Sequence, residues 1–363
     1  GQFAGLTTDE ANKPIAEHLE KLGALFALKK IKHQYPHCWR CHKPIIFRAT
    51  SQWFCSVDDF KDAAVKAAED VKWYPEWGKD RLQSMVVERA DWCISRQRKW
   101  GVPIPVVYCK ECGKEIIDDG IMQKVSDIFG EEGSDAWFAH DAEYFLPEGF
   151  ECPHCHKANG FEKETDIMDV WFDSGSSHAA VLKNRNYLKW PADVYLEGAD
   201  QYRGWFQSSL LTSVAAGNRA PYEQIITHGW TVDGEGRKMS KSLGNGIAPQ
   251  EIIDKYGADI LRLWVASADY HADIRISPEI LKQISDNYRK IRNTARYCLG
   301  NLYDFDPDKD MVANDELEEL DKYALMKLDE VIKTARAGYD EYEYHTTAHA
   351  LHNFCVVDMS NFY

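Results

Sequence analysis

The chain has 363 residues, a length that usually corresponds to about two or three domains. Its apolar content of 44% and aromatic content of 12% are enough to build packed cores, which excludes a wholly disordered chain. The net charge of −15 excludes a uniformly basic nucleic-acid binder, although a global sum can hide a basic face. Because no run of about 18 apolar residues occurs, we expect no membrane span.

The first residues, from Gly1 to Phe3, do not have the pattern of a secretory leader. We therefore expect a cytoplasmic protein whose ten cysteines are reduced thiols or metal ligands rather than disulfides. The sequence does not start with Met and ends within an apolar, helix-like run, so we expect it to be a fragment of a longer polypeptide.

The first elements follow from periodicity and turn residues. Apolar spacing predicts a helix over residues 8–28, and the Pro- and His-rich residues 33–44 predict an irregular segment. Residues 45–54 have the composition of a strand that enters a buried sheet. Short helices are predicted at 59–68 and 79–87. The next segment, 91–105, is dense in Arg, Lys and Trp, which fits either a phosphate-facing surface or aromatic packing.

Two Cys-x-x-Cys pairs frame an insertion at residues 108–160. The pairs Cys109/Cys112 and Cys152/Cys155 have the spacing of two knuckles that close one four-cysteine zinc site. Unliganded thiols are the alternative, and His154 and His156 are competing ligands. A third pair, Cys38 and Cys41, either binds metal together with cysteines outside this sequence or consists of plain thiols.

Strands alternate with helices in the next part of the chain. Residues 165–175 resemble a strand that runs into a turn, and residues 193–196 and 224–232 are apolar enough for buried strands. Between the last two lies a predicted helix at 201–215, which Asp200 could cap. This alternation predicts a parallel α/β sheet with helices on its faces.

The stretch DGEGRKMSKSLGN at residues 233–245 is a polar loop with glycines near both ends. Lys238 and Lys241 lie three residues apart, with Ser240 between them and Ser242 after them. Ammonium groups and the N–H groups of a glycine-rich turn suit phosphate oxygens. A mobile loop of this kind could close over a triphosphate and stabilise charge that develops during transfer of a nucleotidyl group.

After the loop the period becomes helical. Helices are predicted at 249–256, at 260–267, from Ser277-Pro278 onward, at about 316–336, and from near residue 346. The long helix after Pro278 carries a basic stripe that consists of Lys282, Arg289, Arg292 and Arg296. Composition alone leaves two readings of this stripe open, a solvated face and a nucleic-acid contact.

Six motifs occur in one order along the chain. They are DWCISRQR at 91–98, WGVP at 100–103, DVWFDSG at 169–175, LEGADQYRGWF at 196–206, THGW at 227–230 and KMSKS at 238–242. Together they resemble the isoleucyl-tRNA synthetases, which are class I aminoacyl-tRNA synthetases. The resemblance covers essentially the whole chain. The DSG that follows the Trp-Phe pair favours isoleucine over the related valine and leucine enzymes.

The resemblance implies roles for individual residues. It implies an amino-acid and adenylate site formed by Glu197, Asp200, Gln201, Trp205 and Trp171. It implies an ATP site with Lys238 and Lys241 as catalytic lysines, bordered by Ser240, Ser242, His228 and Gly229. It also places the basic stripe of the long helix at the tRNA. From residue type alone, core packing of the two tryptophans and a simple capping role for Asp200 stay open.

The implied fold is α/β, the second half of a Rossmann-like parallel sheet with a zinc-ribbon-like insertion, followed by an all-α helical-bundle module. The implied domains are the tail of an editing insertion (1–32), the return into the catalytic core (33–107), the zinc-knuckle insertion (108–160), the second Rossmann half with the lysine loop (161–272) and a truncated helical tRNA- and anticodon-binding module (273–363).

The implied reaction is ATP-dependent activation of isoleucine and its transfer to tRNA(Ile), with Mg²⁺ on the ATP, by an enzyme that is monomeric when intact. The family's His-x-Gly-His motif does not occur in this sequence, so we expect the chain to be inactive by itself. The alternatives are a non-catalytic, zinc-stabilised RNA-binding module and a synthetase for valine or leucine.

Overall fold

The computed structural model describes residues 1–38, 41–158, 160–240 and 243–363. The chain forms two compact units, Gly1–Trp53 and Phe54–Tyr363. The α-helices, in chain order, are α1 (Thr8–Lys21), α2 (Lys61–Ala67), α3 (Gly78–Val87), α4 (Asp119–Glu132), α5 (Ala136–Ala139), α6 (Ala142–Phe145), α7 (Val170–Gly175), α8 (Trp205–Gly217), α9 (Pro249–Tyr256), α10 (Ala258–Ser267), α11 (Pro278–Gly300), α12 (Pro307–Asp310), α13 (Glu319–Asp340) and α14 (Tyr344–Asn353).

The strands are all short. In chain order they are β1 (Phe54–Cys55), β2 (Lys72–Tyr74), β3 (Trp92–Cys93), β4 (Ser95–Arg96), β5 (Val107–Cys109), β6 (Glu115–Ile116), β7 (Phe161–Lys163), β8 (Ile167–Met168), β9 (Tyr195–Gly198), β10 (Gln224–His228), β11 (Thr231–Val232) and β12 (Ile274–Arg275). A 3₁₀ turn spans Ala199–Tyr202, and π-helical segments span His178–Lys183 and Phe354–Phe362. None of the helices in the described ranges is both long and apolar enough to cross a membrane.

The first unit contains one regular helix. α1 begins with a capping box, in which Glu10 N–H donates to Thr7 Oγ1 and Thr7 N–H donates to Glu10 Oε2. It ends at Lys21, seven residues before the predicted end, and Leu22 beyond it is 64% exposed. A helix without packing partners gains little from its apolar positions, so the periodic residues after Lys21 do not extend it.

The strand predicted at 45–54 is wrong. Residues 45–53, all of which the structure describes, contain no strand, and only Phe54 and Cys55 pair, with β3. Ile46 and Phe47 are exposed. An apolar run becomes a strand only where a neighbouring strand accepts its hydrogen bonds and a core covers its side chains, and this segment has neither within its unit.

The central sheet of the second unit is parallel, with strand order β2–β10–β9. The middle strand, β10, buries Ile225, Ile226 and Thr227 in succession, as expected for a parallel strand that is covered on both faces. α8 packs beside the sheet through Phe206 and Leu210, which are fully buried. The predicted parallel pairing is therefore confirmed for β9 and β10, whereas β2 was not predicted as a strand. The strand predicted at 165–175 shortens to β8, which pairs antiparallel with β4 and is followed by α7.

The core of this sheet is aromatic, and the polar ends of its rings have partners. Tyr202 Oη lies 2.8 Å from Thr227 Oγ1, and Tyr222 O–H donates to Phe206 O at 3.0 Å. The Trp73 indole N–H donates to Ala68 O at 3.0 Å. Because each of these three polar atoms has a partner, the three rings add buried area without an unpaired polar group of their own.

Residues 107–163 form a separate small layer. Strands β5, β6 and β7 make a three-stranded antiparallel sheet, and α4, α5 and α6 cover it with a core that includes Trp137 and Phe145. The Trp137 indole N–H donates to Glu164 O at 2.9 Å. This insertion therefore has a hydrophobic core of its own.

The last part of the chain is helical, as predicted. Ser277 caps α11, its Oγ accepting the Ile280 N–H at 3.3 Å, and Pro278 occupies the first turn. β12 lies just before this cap and pairs in parallel with β11. The core of α9, α10 and α11 includes Ile260 and Trp264. The lysine loop and the long helix thus start from one two-stranded ribbon.

We expect Gly175→Ala to destabilise the protein by about 1–3 kcal/mol, because a Cβ at this position would lie 2.7 Å from the backbone carbonyl of Ser208 in α8. Gly130→Ala is the matched control, since Gly130 lies in α4 with open space around it, and there we expect stabilisation of up to about 1 kcal/mol. Urea unfolding midpoints of the two variants measure the difference. Equal midpoints would mean that α7 and α8 are not in close contact.

Candidate functional site

The side chains of Glu197 and His228 lie at the carboxyl end of the parallel sheet. Glu197 lies near the end of β9, opposite Thr227 of β10, and the last pair in this register is His228 with Gly198. In open α/β sheets, ligands bind at the carboxyl ends of the strands. The chain then turns through the 3₁₀ segment Ala199–Tyr202 and enters α8.

A cavity of about 450 Å³ opens at this edge. Its lining consists of Trp171, Ser174, Ser177, Glu197, Gln201 and Trp205. Four of the five residues that were predicted for the amino-acid site are therefore together, and Asp200 is not in the lining. The two serines were not predicted, although Ser174 lies within the DVWFDSG motif that carried the resemblance.

The two indole rings are held differently. Trp205 is half-buried and stacks on Tyr195 with ring centroids 3.9 Å apart and planes 9° apart. Its indole N–H is 2.9 Å from Ser174 O and 3.2 Å from Ser177 Oγ. Trp171 is 41% exposed, so a fully buried core role does not apply to it. Trp205 is thus a wall of the cavity that is fixed by stacking and hydrogen bonds, whereas Trp171 is a wall at the protein surface.

Asp200 does not cap the helix, which corrects that interpretation of the sequence. α8 begins at Trp205, with Gly204 as its cap, because the 3₁₀ turn lies between Asp200 and the helix. Gln201 takes the capping role, since its Oε1 accepts the Trp205 N–H at 2.8 Å. Its Nε2 donates to Asp200 Oδ2 at 3.0 Å. Asp200 therefore orients the side chain that fixes Trp205.

Asp169 is a buried carboxylate that the sequence reasoning did not single out. Its Oδ2 accepts the Trp92 indole N–H at 2.9 Å and lies 3.1 Å from Arg96 Nη2. Its Oδ1 accepts the Trp171 N–H at 3.4 Å, so Asp169 also caps α7. Trp92 and Arg96 therefore both contact Asp169, while the Arg96 side chain stays 42% exposed. Both motifs that meet here were visible in the sequence, but their contact was not.

The lysine loop folds around a second carboxylate. Asp233 Oδ1 accepts the N–H groups of Glu235 and Arg237 at 3.0 and 2.8 Å. Its Oδ2 accepts from the Asn245 amide and from Arg237 Nε, each at 2.9 Å. The Asn245 amide, the Arg237 N–H and the Arg237 guanidinium together hold the pKa of Asp233 well below its usual range. Asp233 thus ties both ends of the loop together.

Lys238 and Ser240 lie within the described part of the loop. The Lys238 ammonium is 5.3 Å from the centre of the Trp230 ring, a cation–π geometry. The Ser240 N–H donates to Asn245 Oδ1 at 2.9 Å. Lys241 and Ser242, both predicted for the ATP site, lie outside the described residues. The roles predicted for the loop lysines stay predictions.

His228 and Gly229 border a different, apolar cavity of about 580 Å³. The His228 Nδ1–H donates to Gly229 O at 2.7 Å, and the Gly229 N–H donates to Tyr270 O at 2.9 Å. A Cβ at Gly229 would lie 2.4 Å from the backbone of Ala272, so only glycine fits. Leu196 of β9 and Trp264 of α10 are also in the lining.

Four cysteines of the insertion converge. The Sγ atoms of Cys109, Cys112, Cys152 and Cys155 all lie within 4.8 Å of one another. Burial opposes ionisation of Cys152, but N–H groups of His154 and Cys155 and thiols of Cys155 and Cys109 lower its pKa to about 6. His154 and His156 are not members of this group. A set of four thiol sulphurs at these distances has the donor number and type that tetrahedral Zn²⁺ prefers.

All three Cys-x-x-Cys pairs share one backbone hydrogen bond and one backbone conformation at the residue that follows them. In each, the N–H of the residue after the second cysteine donates to the carbonyl of the first cysteine at 2.8 Å. That residue has a positive φ in each case, 57° at His42, 70° at Gly113 and 59° at His156. The described residues around Cys38 and Cys41 therefore share the closing hydrogen bond and the positive φ of the two turns that bring the four thiols together.

The basic stripe of α11 is solvent-exposed. Its members Lys282, Arg289, Arg292 and Arg296 are all exposed. Arg289 is paired with Asp286. Helical geometry places the four on one side of α11, so this side carries mainly basic side chains.

Comparison with known proteins identifies the family of the chain. The family model "tRNA synthetases class I (I, L, M and V)" matches residues 8–277. The chain belongs to the class I aminoacyl-tRNA synthetases. This confirms the predicted enzyme class. A second model, "Anticodon-binding domain of tRNA ligase", matches residues 321–363 of this class I chain.

The class I chain has close relatives among curated proteins. It is 61% identical over all 363 residues to the isoleucine–tRNA ligase of Caldicellulosiruptor bescii, of which it covers 39%. It is 62% identical over 361 residues to that of Caldanaerobacter subterraneus subsp. tengcongensis, of which it covers 38%. The chain thus spans about two fifths of the length of these relatives.

Solved structures share the fold. Methionyl-tRNA synthetase of Mycobacterium tuberculosis in complex with methionyl-adenylate aligns with a TM-score of 0.60 and 18% identity, covering 88% of this chain and 54% of that one. A LeuRS–tRNA–LeuAMS complex of Agrobacterium radiobacter aligns at 0.53 and 21%, covering 74% and 36%. At these identities the likeness shows the class I fold alone.

A buried histidine of the class I chain lies behind the cavity that Trp171 and Trp205 line. His178 is 2% exposed, and its Nε2 is 3.3 Å from Thr212 Oγ1. Burial, followed by the nearby Lys183 charge, lowers the pKa of His178 from 6.5 to about 4. The imidazole is therefore neutral at physiological pH.

We expect the free energy of unfolding to fall by roughly 3 kcal/mol between pH 6.5 and pH 4 because of His178, since the unfolded state takes up a proton in this window and the folded state does not. His178→Gln should remove this part of the pH dependence, and His33→Gln, at an exposed position, should retain it. Urea unfolding of the three proteins across this pH range measures the pH dependence of the free energy of unfolding. The same pH profile in His178→Gln and wild type would contradict the assignment.

Proposed function

We propose that this chain is the second half of the catalytic domain, with the start of the tRNA-binding helices, of an isoleucine–tRNA ligase. The observation that carries the proposal is the cavity at the carboxyl end of the sheet, with two indole walls and one carboxylate, in a chain 61% identical to isoleucine–tRNA ligases. That identity favours isoleucine over valine or leucine. The fold is then the second half of a Rossmann-like sheet with a zinc-ribbon-like insertion.

The cavity suits a small aliphatic amino acid. Glu197 offers a carboxylate for the substrate ammonium, a charge-assisted contact that is stronger than a neutral one. Trp171 and Trp205 present apolar faces to the side chain. Ser174 and Ser177 hold the Trp205 ring by its N–H, so the ring keeps its position when the cavity fills. Gln201 and Asp200 brace the same ring through the first turn of α8.

The nucleotide would lie next to this cavity along the sheet edge. We assign its adenosine end to the apolar cavity beside His228 and Gly229, and its phosphates to the lysine loop. Lys238 and Lys241 supply positive charge, and Ser240 and Ser242 supply hydroxyl groups. ATP would carry Mg²⁺, which neutralises phosphate charge. Asp233 keeps the loop compact by accepting hydrogen bonds from both Arg237 and Asn245.

The reaction that these groups serve has two steps. The isoleucine carboxylate oxygen attacks the α-phosphorus of ATP, a carboxyl O–P bond forms, and the bond to pyrophosphate breaks. The adenylate then transfers its acyl group to a tRNA(Ile) hydroxyl and releases AMP. Positioning and charge stabilisation carry this chemistry, since no side chain forms a bond to the substrate.

The insertion would hold Zn²⁺ through Cys109, Cys112, Cys152 and Cys155, as a structural staple. The matching turn at Cys38 and Cys41 supports a second half-site, completed by ligands outside this chain.

The exposed basic face of α11 is the tRNA contact. The whole enzyme would be a cytoplasmic monomer.

We expect Glu197→Gln in the full-length protein to lower kcat/KM for isoleucine-dependent ATP–pyrophosphate exchange by about 100-fold, because an amide cannot balance the substrate ammonium. Glu251→Gln, on the exposed surface of α9, is the control and should exchange at the wild-type rate. Wild-type exchange by Glu197→Gln would refute its role. Exchange that depends on another amino acid would refute the isoleucine assignment.

We expect the double variant Cys112→Ser/Cys155→Ser to lose about one zinc per chain relative to wild type, because two of the four thiolates of one cage are gone. Cys298→Ser on α11 should keep the wild-type zinc content. Elemental analysis of chelator-free protein measures it. Equal zinc in all three proteins would show that the four-cysteine group does not hold the metal.

A further inference from the structure

A second cavity lies behind the candidate amino-acid site. It has a volume of about 350 Å³, within the range of small-molecule sites. Its lining includes Cys55, Phe60, Trp92, Phe172, His178 and Leu211. The lining is mainly apolar and aromatic, and the Trp92 and Phe172 rings have their centroids 5.6 Å apart. Such walls favour a flat, apolar occupant.

Among the described residues, one polar atom of this lining, His178 Nδ1, lacks a hydrogen-bond partner. The Thr212 hydroxyl donates its single proton to a backbone carbonyl, with Gly175 O at 2.9 Å and Ser208 O at 3.0 Å. Thr212 Oγ1 must therefore accept from His178 Nε2–H at 3.3 Å. The neutral imidazole then carries its proton on Nε2 and leaves Nδ1 as an acceptor. Within the described ranges this buried Nδ1 has no hydrogen-bond partner.

A buried acceptor without a hydrogen-bond partner costs free energy, and a ligand that donates to it removes this cost. Because His178 lines the cavity and is 2% exposed, a molecule that enters the cavity and carries a donor can supply a partner for Nδ1. An apolar molecule without a donor would fill the space and leave the nitrogen unpaired. The lining therefore selects for both shape and one N–H or O–H group.

The two cavities share a wall. α7 contributes Trp171 and Ser174 to the candidate amino-acid cavity, whereas Phe172 of α7 and Ser176, the residue that ends this helix, line the cavity behind it. Helical periodicity places these two pairs on different sides of the same short helix. Neither cavity includes a residue of the other, so the rear cavity is a separate site.

We propose that the rear cavity binds a compact, largely aromatic molecule that donates one hydrogen bond, from N–H or O–H, to His178 Nδ1. The proposal does not depend on the amino acid that the enzyme activates. Indole has the required shape and a single donor. Benzofuran has nearly the same shape but an oxygen in place of the N–H group, so the pair isolates the hydrogen bond.

Calorimetric titration of the full-length protein tests the site. We expect indole to bind about 3- to 10-fold more tightly than benzofuran, the range for one net hydrogen bond. His178→Phe should bind both probes with equal affinity. A crystal of the indole complex should show the indole nitrogen next to His178. Equal affinity of the wild type for both probes, or no saturable binding, would overturn the proposal.

A second pair of variants keeps the test valid if His178→Phe does not fold. Ala179 lines the rear cavity, and its neighbour Ala180 is exposed and does not. Ala179→Leu should weaken indole binding at least 10-fold, and Ala180→Leu should leave it unchanged. Equal binding by the two variants, indole density in the Trp171–Trp205 cavity, or another segment of the full-length protein seated in the rear cavity would each refute the assignment.

Discussion

The contact between Asp169 and the segment at 92–96 is the constraint on which the candidate site depends. One buried carboxylate accepts from an indole N–H, pairs with a guanidinium and caps α7. A buried charge is tolerated only when its oxygens are paired, so this arrangement fixes the position of α7. α7 in turn carries Trp171 and Ser174, and Ser174 O receives the Trp205 indole N–H. The shape of the amino-acid cavity therefore follows from a carboxylate outside it.

Local patterns in the sequence were enough for much of the architecture. The apolar run around β10 predicted a buried parallel strand, and Ser277-Pro278 predicted the start of α11. These features depend on neighbouring residues, which is why they could be seen. The cysteine spacing likewise predicted the group of four thiols, because each knuckle is a local turn and the second must only come near the first.

What the sequence did not reveal depends on distant partners. Asp169 and Trp92 are 77 positions apart, and the Nδ1 of His178 is left unpaired only because Thr212 engages its Nε2. At residues 45–53 the composition predicted a strand that the structure does not contain, because this segment has no neighbouring strand to pair with. The cap was one open reading of Asp200, because composition cannot distinguish a 3₁₀ turn from the first turn of a helix.

The ribbon of β11 and β12 has a mechanical consequence. The lysine loop follows β11 at Asp233, and Ser277, the N-cap of α11, follows β12 after Ile276. The Ser277 Cβ is 3.1 Å from where a Gly234 Cβ would lie. α11 has 23 residues and is therefore about 34 Å long. As a rigid rod fixed at the ribbon, it converts a tilt of about 5° into a displacement of about 3 Å at its far end. The loop and the long helix therefore start from neighbouring residues of one ribbon, and a tilt of α11 there displaces its far end most.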